Sequence, residues 1–370
     1  MSDRLLIGTK KGLFTVQRSG PGRWAFGPPA FPGVPVSMVC RDPRDGGELV
    51  ALNHGHFGVK FHRSDDRGAN WRELAAPACP PVPAGEPPIV DMIGRTIPQT
   101  LKDVWALVPG GKDQPRRLWC GTIPGALFRS DDGGASWTLV ESLWHHPTRK
   151  LWMGGGADAP GIHSICVDPR DSRKLSIAIS CAGIWHSSDD GATWEAACAG
   201  MRAEYAPPGQ EFEPLAQDPH QMVRCASGPD RMWVQHHNGI FRSDDAGRSW
   251  SEIKQAGPSC FGFAVVVHPK HKDSAWFVPA KKDEFRFPVD GKFVVTRTRD
   301  GGKSFDVLSK GLPEAPAYDL VYRHGLDISQ DGERLAMGST TGGLWVSENG
   351  GDSWVGVSAH LPPVLCVRFG

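Results

Sequence analysis

Tyrosine is scarce in this chain: Tyr205, Tyr318 and Tyr322 are the three in 370 residues. An excess of one charge is missing too, because Lys+Arg and Asp+Glu both number 41 and the formal net charge is zero. No Lys/Arg-rich run stands out, which argues against nucleic acid or an anionic membrane as a partner. No apolar stretch approaches the ~20 residues that a transmembrane helix requires. The opening Met1-Ser2-Asp3-Arg4-Leu5-Leu6-Ile7-Gly8 lacks a signal peptide's apolar core and leads straight into strand-like sequence. The nine cysteines are odd in number and include no Cys-x-x-Cys pair, so zinc-ribbon and thioredoxin-type readings fail. Cys40, Cys166, Cys225 and Cys366 fall in apolar strands, where they read as small buried hydrophobes. Reduced thiols without an export signal lead to the expectation of a cytoplasmic protein.

What the chain does contain is one phrase, Ser-x-Asp-x-Gly-x-Ser/Thr-Trp, repeated six times. It occurs as Ser64-Asp66-Gly68-Asn70-Trp71, Ser130-Asp132-Gly134-Ser136-Trp137 and Ser187-Asp189-Gly191-Thr193-Trp194. It returns as Ser243-Asp245-Gly247-Ser249-Trp250, Thr298-Asp300-Gly302-Ser304-Phe305 and Ser347-Asn349-Gly351-Ser353-Trp354. A decayed seventh copy ends at Trp24. A spacing of about 50 residues is the period of a propeller blade.

Each phrase reads as the turn of a β-hairpin. Its Asp accepts hydrogen bonds from nearby turn amides, its Gly supplies a positive φ, and its aromatic residue starts the next strand. A catalytic acid would occur once, so a carboxylate repeated in every unit is a turn former. Upstream of each hairpin lie two more apolar strands joined by a polar turn, as in Val36-Ser37-Met38-Val39-Cys40, Asp42-Pro43-Arg44-Asp45-Gly46 and Leu49-Val50-Ala51-Leu52. A unit is therefore four antiparallel strands. The chain opens on a second strand and ends on an orphan first strand, Val364–Phe369. The expected fold is all-β: one domain over residues 1–370, a seven-bladed β-propeller closed by pairing the C-terminal strand with the N-terminal blade.

These phrases resemble the Asp boxes of the bacterial-neuraminidase-repeat, or sialidase-like, propellers, and the resemblance covers nearly the whole chain. That group includes glycoside hydrolases, polysaccharide lyases, sorting-receptor ectodomains and assembly factors, so fold constrains function weakly. The sialidase template implies an Arg-Ile-Pro-type element, a three-arginine carboxylate clamp and a tyrosine nucleophile with a glutamate partner. Arg95-Thr96-Ile97-Pro98 approximates the first but follows the first good box. Arg95, Arg202 and Arg323 are the available clamp, and Tyr318 is the candidate nucleophile.

Antiparallel geometry puts the repeated turns and the Asp-Pro turns at one end of every unit. The other end carries the second-to-third loops and the crossings to the next unit, and the irregular residues concentrate there. Crossings are long at residues 75–102, 138–161 and 195–218. Arg95, Arg202 and Glu211 in the crossings and His54 and His56 in a second-to-third loop are candidate substrate contacts. Three first strands are expected to open with His, one residue, then an apolar residue: His163-Ser164-Ile165, His220-Gln221-Met222 and His324-Gly325-Leu326. Imidazoles converging on a central channel with an open position are what a catalytic divalent metal needs. The alternative is a His/Arg/Glu-lined substrate funnel without metal.

Three functions compete on this reading. The first is an enzyme acting on a small polar or carbohydrate-like molecule by metal-assisted lyase or hydrolase chemistry. Its metal (Mn, Zn or similar) would be held by His163, His220 and His324, with His236, His237 or Tyr318 as acid/base. The second is a metal-independent, sialidase-like glycoside hydrolase using carboxylates such as Glu204, Glu211, Glu213, Asp283 and Glu284. The third is a binding or assembly propeller with no chemistry.

Overall fold

In the computed structural model, which describes residues 3–90, 94–154 and 158–370, the repeat builds seven four-stranded sheets. Chain contacts divide the protein into two compact units. One comprises Met1–Val39, Val223–Ala246 and Trp250–Gly370; the other comprises Cys40–Met222 with Gly247–Ser249. The protein is an all-β, seven-bladed propeller.

In the first unit, Val364–Phe369 pairs antiparallel with Arg4–Thr9, which continues into Gly12–Gly20 and Arg23–Phe26. Leu5 lies opposite Phe369 and Ile7 opposite Val367, so the last residues of the chain complete the first blade, as expected. Leu5, Ile7, Val16, Val346, Val364 and Val367 pack into one buried cluster. Two more sheets belong wholly to this unit. One runs Gly262–Val267, Ala275–Pro279, Val295–Thr298 and Asp306–Leu308; the other runs Leu326–Ile328, Leu335–Gly338, Leu344–Ser347 and Val355–Ser358. Alternating Val, Ala and Leu with Trp276, Trp345 and Trp354 fills the space around their strands.

In the second unit, one sheet runs Asp103–Pro109, Leu118–Ile123, Leu127–Ser130 and Thr138–Leu139. Its neighbour in sequence runs Gly161–Asp168, Asp171–Ser180, Gly183–Ser187 and Glu195–Ala196. Trp119, Trp152, Trp185, Ile177 and Ile179 share one buried cluster. The remaining two sheets, with inner strands Val36–Arg41 and Pro219–Arg224, keep the same strand order.

The repeated turn works as its composition demands. The Ser130 hydroxyl donates to Asp132 Oδ1 at 2.8 Å and accepts the Gly134 N–H at 2.8 Å. The carboxylate of Asp132 accepts the Ser136 N–H at 2.9 Å and its hydroxyl at 2.6 Å. Ser64/Asp66, Ser187/Asp189, Thr298/Asp300 and Ser347/Asn349 repeat the pattern. Gly134, at φ 91°, closes the loop in a conformation that a side chain would strain.

Arginines near these turns tie successive sheets together. Arg117 reaches Asp190 at 2.8 Å, Arg231 reaches Asp273 at 2.5 Å, and Arg297 reaches Asp352 at 2.7 Å. In the blade whose phrase has decayed, Arg18 and Trp24 both donate to Glu348 instead. The repeated-turn end is thus occupied by structural hydrogen bonds and ion pairs. All nine cysteines are free thiols, and Cys225 lies just beyond its inner strand, one residue past Arg224. No helix among the described residues is long and apolar enough to cross a membrane.

Candidate functional site

The crossing that follows Glu195–Ala196 delivers a buried polar cluster to the loop-rich end of the second unit. Ser180, the last residue of its strand, donates its hydroxyl to Asp218 Oδ1 at 2.9 Å. The other carboxylate oxygen of Asp218 lies 3.6 Å from His220 Nε2. All three side chains are buried. Burying a carboxylate is costly unless donors or a charge partner stand beside it, and here the Ser180 hydroxyl donates to it and the His220 imidazole lies close by. Tyr205 closes the rim: its hydroxyl donates to the Ala216 carbonyl at 2.7 Å while nearly half of the residue stays in solvent. Burial of that hydroxyl, with the Asp218 charge adding, pushes its pKa up, so it keeps its proton at neutral pH.

Backbone geometry holds the crossing in place. Gln217 is buried and donates to the Glu211 and Glu213 carbonyls at 2.9 and 3.0 Å. Glu211 turns its carboxylate onto the Gly209 N–H at 2.8 Å, a loop-closing role. Arg202 pairs with Glu204 at 3.2 Å, and Arg95 with Asp158 at 3.4 Å, both at the surface. His54 flanks the short turn Gly55–Phe57, and His56 packs at a tilt against Phe57 with ring centroids 3.8 Å apart.

The three histidines expected to open inner strands do so unevenly. His220 is the second residue of Pro219–Arg224, and His163 the third of Gly161–Asp168. His163 Nδ1 is 2.9 Å from the Ser164 hydroxyl, whose oxygen accepts the Met222 N–H at 3.0 Å. His324, in the first unit, precedes its strand and sits in the 3-10 turn Arg323–Gly325 instead of opening Leu326–Ile328. The Arg368 guanidinium lies 3.2 Å from His324 Nδ1. Because Arg only donates, Nδ1 is the acceptor there and a neutral ring carries its proton on Nε2.

The first unit carries an aromatic and cationic patch at its loop-rich end. The segment between Ala275–Pro279 and Val295–Thr298 presents Phe285 and Phe287, and Tyr318 leans on Phe287 with centroids 5.3 Å apart. Tyr318 is 64% exposed and Phe285 46%, unusual for rings that pack against other rings. Lys281 Nζ lies over both phenylalanines, 5.3 and 5.7 Å from their centroids. Phe263 lies under two guanidinium groups, Arg286 at 5.3 Å and Arg323 at 5.7 Å. His237 Nε2 approaches Asp283 at 3.9 Å, while His236 is fully buried edge-on against Phe241.

Sequence reasoning named His220 and passed over Ser180 and Asp218. The available signal was Asp218-Pro219-His220, an acidic residue two positions ahead of a strand-opening histidine. The clustering of Phe285, Phe287 and Tyr318 left no such trace, because a crossing brings Tyr318 to the loop from more than 30 positions away.

No family model matches the chain. It aligns over 90% of its length, at 23% identity, with a probable oligoxyloglucan-reducing end-specific xyloglucanase of Neosartorya fischeri, covering 40% of that protein. A similar alignment, at 23% identity over 90% of this chain and 41% of the relative, joins it to the oligoxyloglucan-reducing end-specific xyloglucanase of Emericella nidulans. The chain thus spans about two fifths of the length of the curated relatives it matches. Among solved structures, a GH74 enzyme of Niastella koreensis superposes with a TM-score of 0.64 at 15% identity, over 95% of this chain and 51% of that one. YCF48 from Cyanidioschyzon merolae superposes with a TM-score of 0.56 at 13% identity, over 94% and 96% of the two chains. At these identities the likeness is one of architecture: the chain is a seven-bladed β-propeller of a kind that glycoside hydrolases share with other proteins.

Proposed function

We propose that the protein is a carbohydrate-acting hydrolase, with the Asp218–His220 pair as its proton-handling group. The buried Ser180–Asp218–His220 arrangement carries this reading, and the alignment with xyloglucanases along nine tenths of the chain supports it. Asp218 orients the imidazole and stabilises its protonated form, so that His220 can take a proton from an attacking water.

The test is turnover of xyloglucan oligosaccharides and a panel of aryl glycosides and sialosides by the wild type, His220→Ala and Asp218→Asn. We expect turnover to fall at least about a hundredfold in both variants, in the range typical of general-base loss, with unchanged melting temperature. Wild-type protein inert on every glycan would remove the hydrolase reading.

A metal-assisted version draws on the same pair, since a carboxylate beside one imidazole nitrogen is a usual companion of a ligating histidine. His220 would be a ligand of the ion, which would polarise a substrate oxygen. Elemental analysis of untagged protein, with activity measured after chelation and after adding Mn, Zn or Co, separates the two versions. Turnover unaffected by chelator in metal-free protein leaves the metal-independent one.

A further inference from the structure

We propose that a proline-walled cleft in the second unit, formed by residues 80–89, 96–99 and 144–150, binds a small organic monocarboxylate through Arg149. The cleft holds about 650 Å³, room for a ligand of disaccharide or aromatic-acid size. Pro80, Pro83, Pro87, Pro98 and Trp144 supply much of its wall, and prolines offer no N–H to a ligand.

Arg149 lines this space yet is only 8% exposed. Its Nη1 and Nη2 donate to Gln99 Oε1, each at 3.1 Å, and its Nε donates to the Gly125 carbonyl at 3.4 Å. The guanidinium carbon lies 3.5 Å from the centroid of the Trp144 ring. Every one of these partners is neutral, and Arg149 has no ion pair among the described residues. Of its five N–H donors, two remain for a ligand.

A buried cation without a counter-ion is costly, and proteins normally pair it. Burial draws the Arg149 pKa down to about 10, which still leaves the group charged at neutral pH. The neighbouring Cys79 thiol is pushed up to about 11 by its own burial, so it is neutral there and supplies no negative charge. Glu86 lines the cleft but is exposed, and His145 is already paired with Glu141 at 2.9 Å. Among the described residues no negative charge stands beside this planar donor group, and a carboxylate would supply one in matching geometry. One buried cation suits a monoanion better than a phosphate dianion. The apolar walls suit a ligand whose body presents C–H or ring faces.

The experiment is ligand-observed NMR and thermal shift on the full chain, with sodium glucuronate, sodium benzoate and the methyl ester of each. Binding by either acid and not by its ester is the expected result, and which acid binds identifies the body as sugar or aromatic ring. Arg149→Gln should weaken binding at least about tenfold. Because that variant puts folding at risk, Gln99→Glu provides a second reading. A resident carboxylate beside Arg149 should raise the melting temperature and abolish binding of the added acid. His220→Ala should bind it normally, which separates this site from the proposed hydrolytic one. Wild-type protein that ignores both acids, or a Gln99→Glu variant that binds them unchanged, overturns the proposal.

Discussion

Deleting residues 364–370 tests the closure of the fold directly. The deletion removes the strand Val364–Phe369, whose Val364, Val367 and Phe369 are buried against Leu5, Ile7 and Val346. At roughly 1.5–3 kcal/mol for each buried Val or Phe side chain, the apolar loss is roughly 5–9 kcal/mol. The strand's ladder to Arg4–Thr9 is lost as well, together with the hydrogen bond from Phe369 N–H to Asp327 at 2.8 Å. Typical domains are stable by about 5–15 kcal/mol, so the loss is comparable to the whole. The exposed edge of Arg4–Thr9 would also invite pairing with other chains. We expect the truncated protein to be insoluble, or to melt far below the full-length chain when followed by circular dichroism. Val367→Asp, which keeps the length but buries a charge at the same contact, should behave similarly. A truncated protein with normal solubility and an unchanged melting temperature would refute the reasoning.

Acid should weaken the repeated turns together. The carboxyls of Asp66, Asp189 and Asp300 are held at about 2, below their usual 3.8, chiefly by side-chain hydrogen bonds from Asn70, Thr193 and Ser304. Depressed values mean that their stabilisation is present above pH 3.8 and lost as pH falls toward 2. The melting temperature should therefore drop across that window, and a flat profile from pH 5 to 2 would contradict the turn assignment. Asp132→Ala removes the acceptor of the Ser136 N–H and hydroxyl and should cost about 1–2 kcal/mol in denaturant titration. Turnover of any accepted substrate by Asp132→Ala should be unchanged at low temperature, because this turn lies at the end tied up by ion pairs.

Much of the architecture was legible because it is written in local chemistry. A turn needs an acceptor such as Asp132 and a glycine at positive φ such as Gly134, and it needs them wherever it recurs. Strand positions follow from apolar runs of fixed length, so Val36–Arg41, Glu48–Asn53 and Gly262–Val267 fall where the sequence places them. The pairing of the last strand with the first was recoverable by counting strands, since an unpaired edge at each end of the chain has one economical solution.

The loop-rich end followed other rules. Its crossings have no repeat, and their side chains meet through packing that no periodicity encodes. His324 lies in a 3-10 turn because the crossing before it ends late, and Arg368 of the C-terminal strand then claims its Nδ1. Glu211 and Arg202, chosen for their charge, are spent on loop hydrogen bonds and a surface pair. Ser180 ends a strand and Asp218 closes a crossing 38 positions later, and Arg149 meets Gln99 from 50 positions away. The sequence by itself determined the blades, their turns and their closure, because those depend on contacts between near neighbours and on a repeat. Only the tertiary structure decided which polar groups share a buried space, because desolvation and pairing depend on what the folded chain brings alongside.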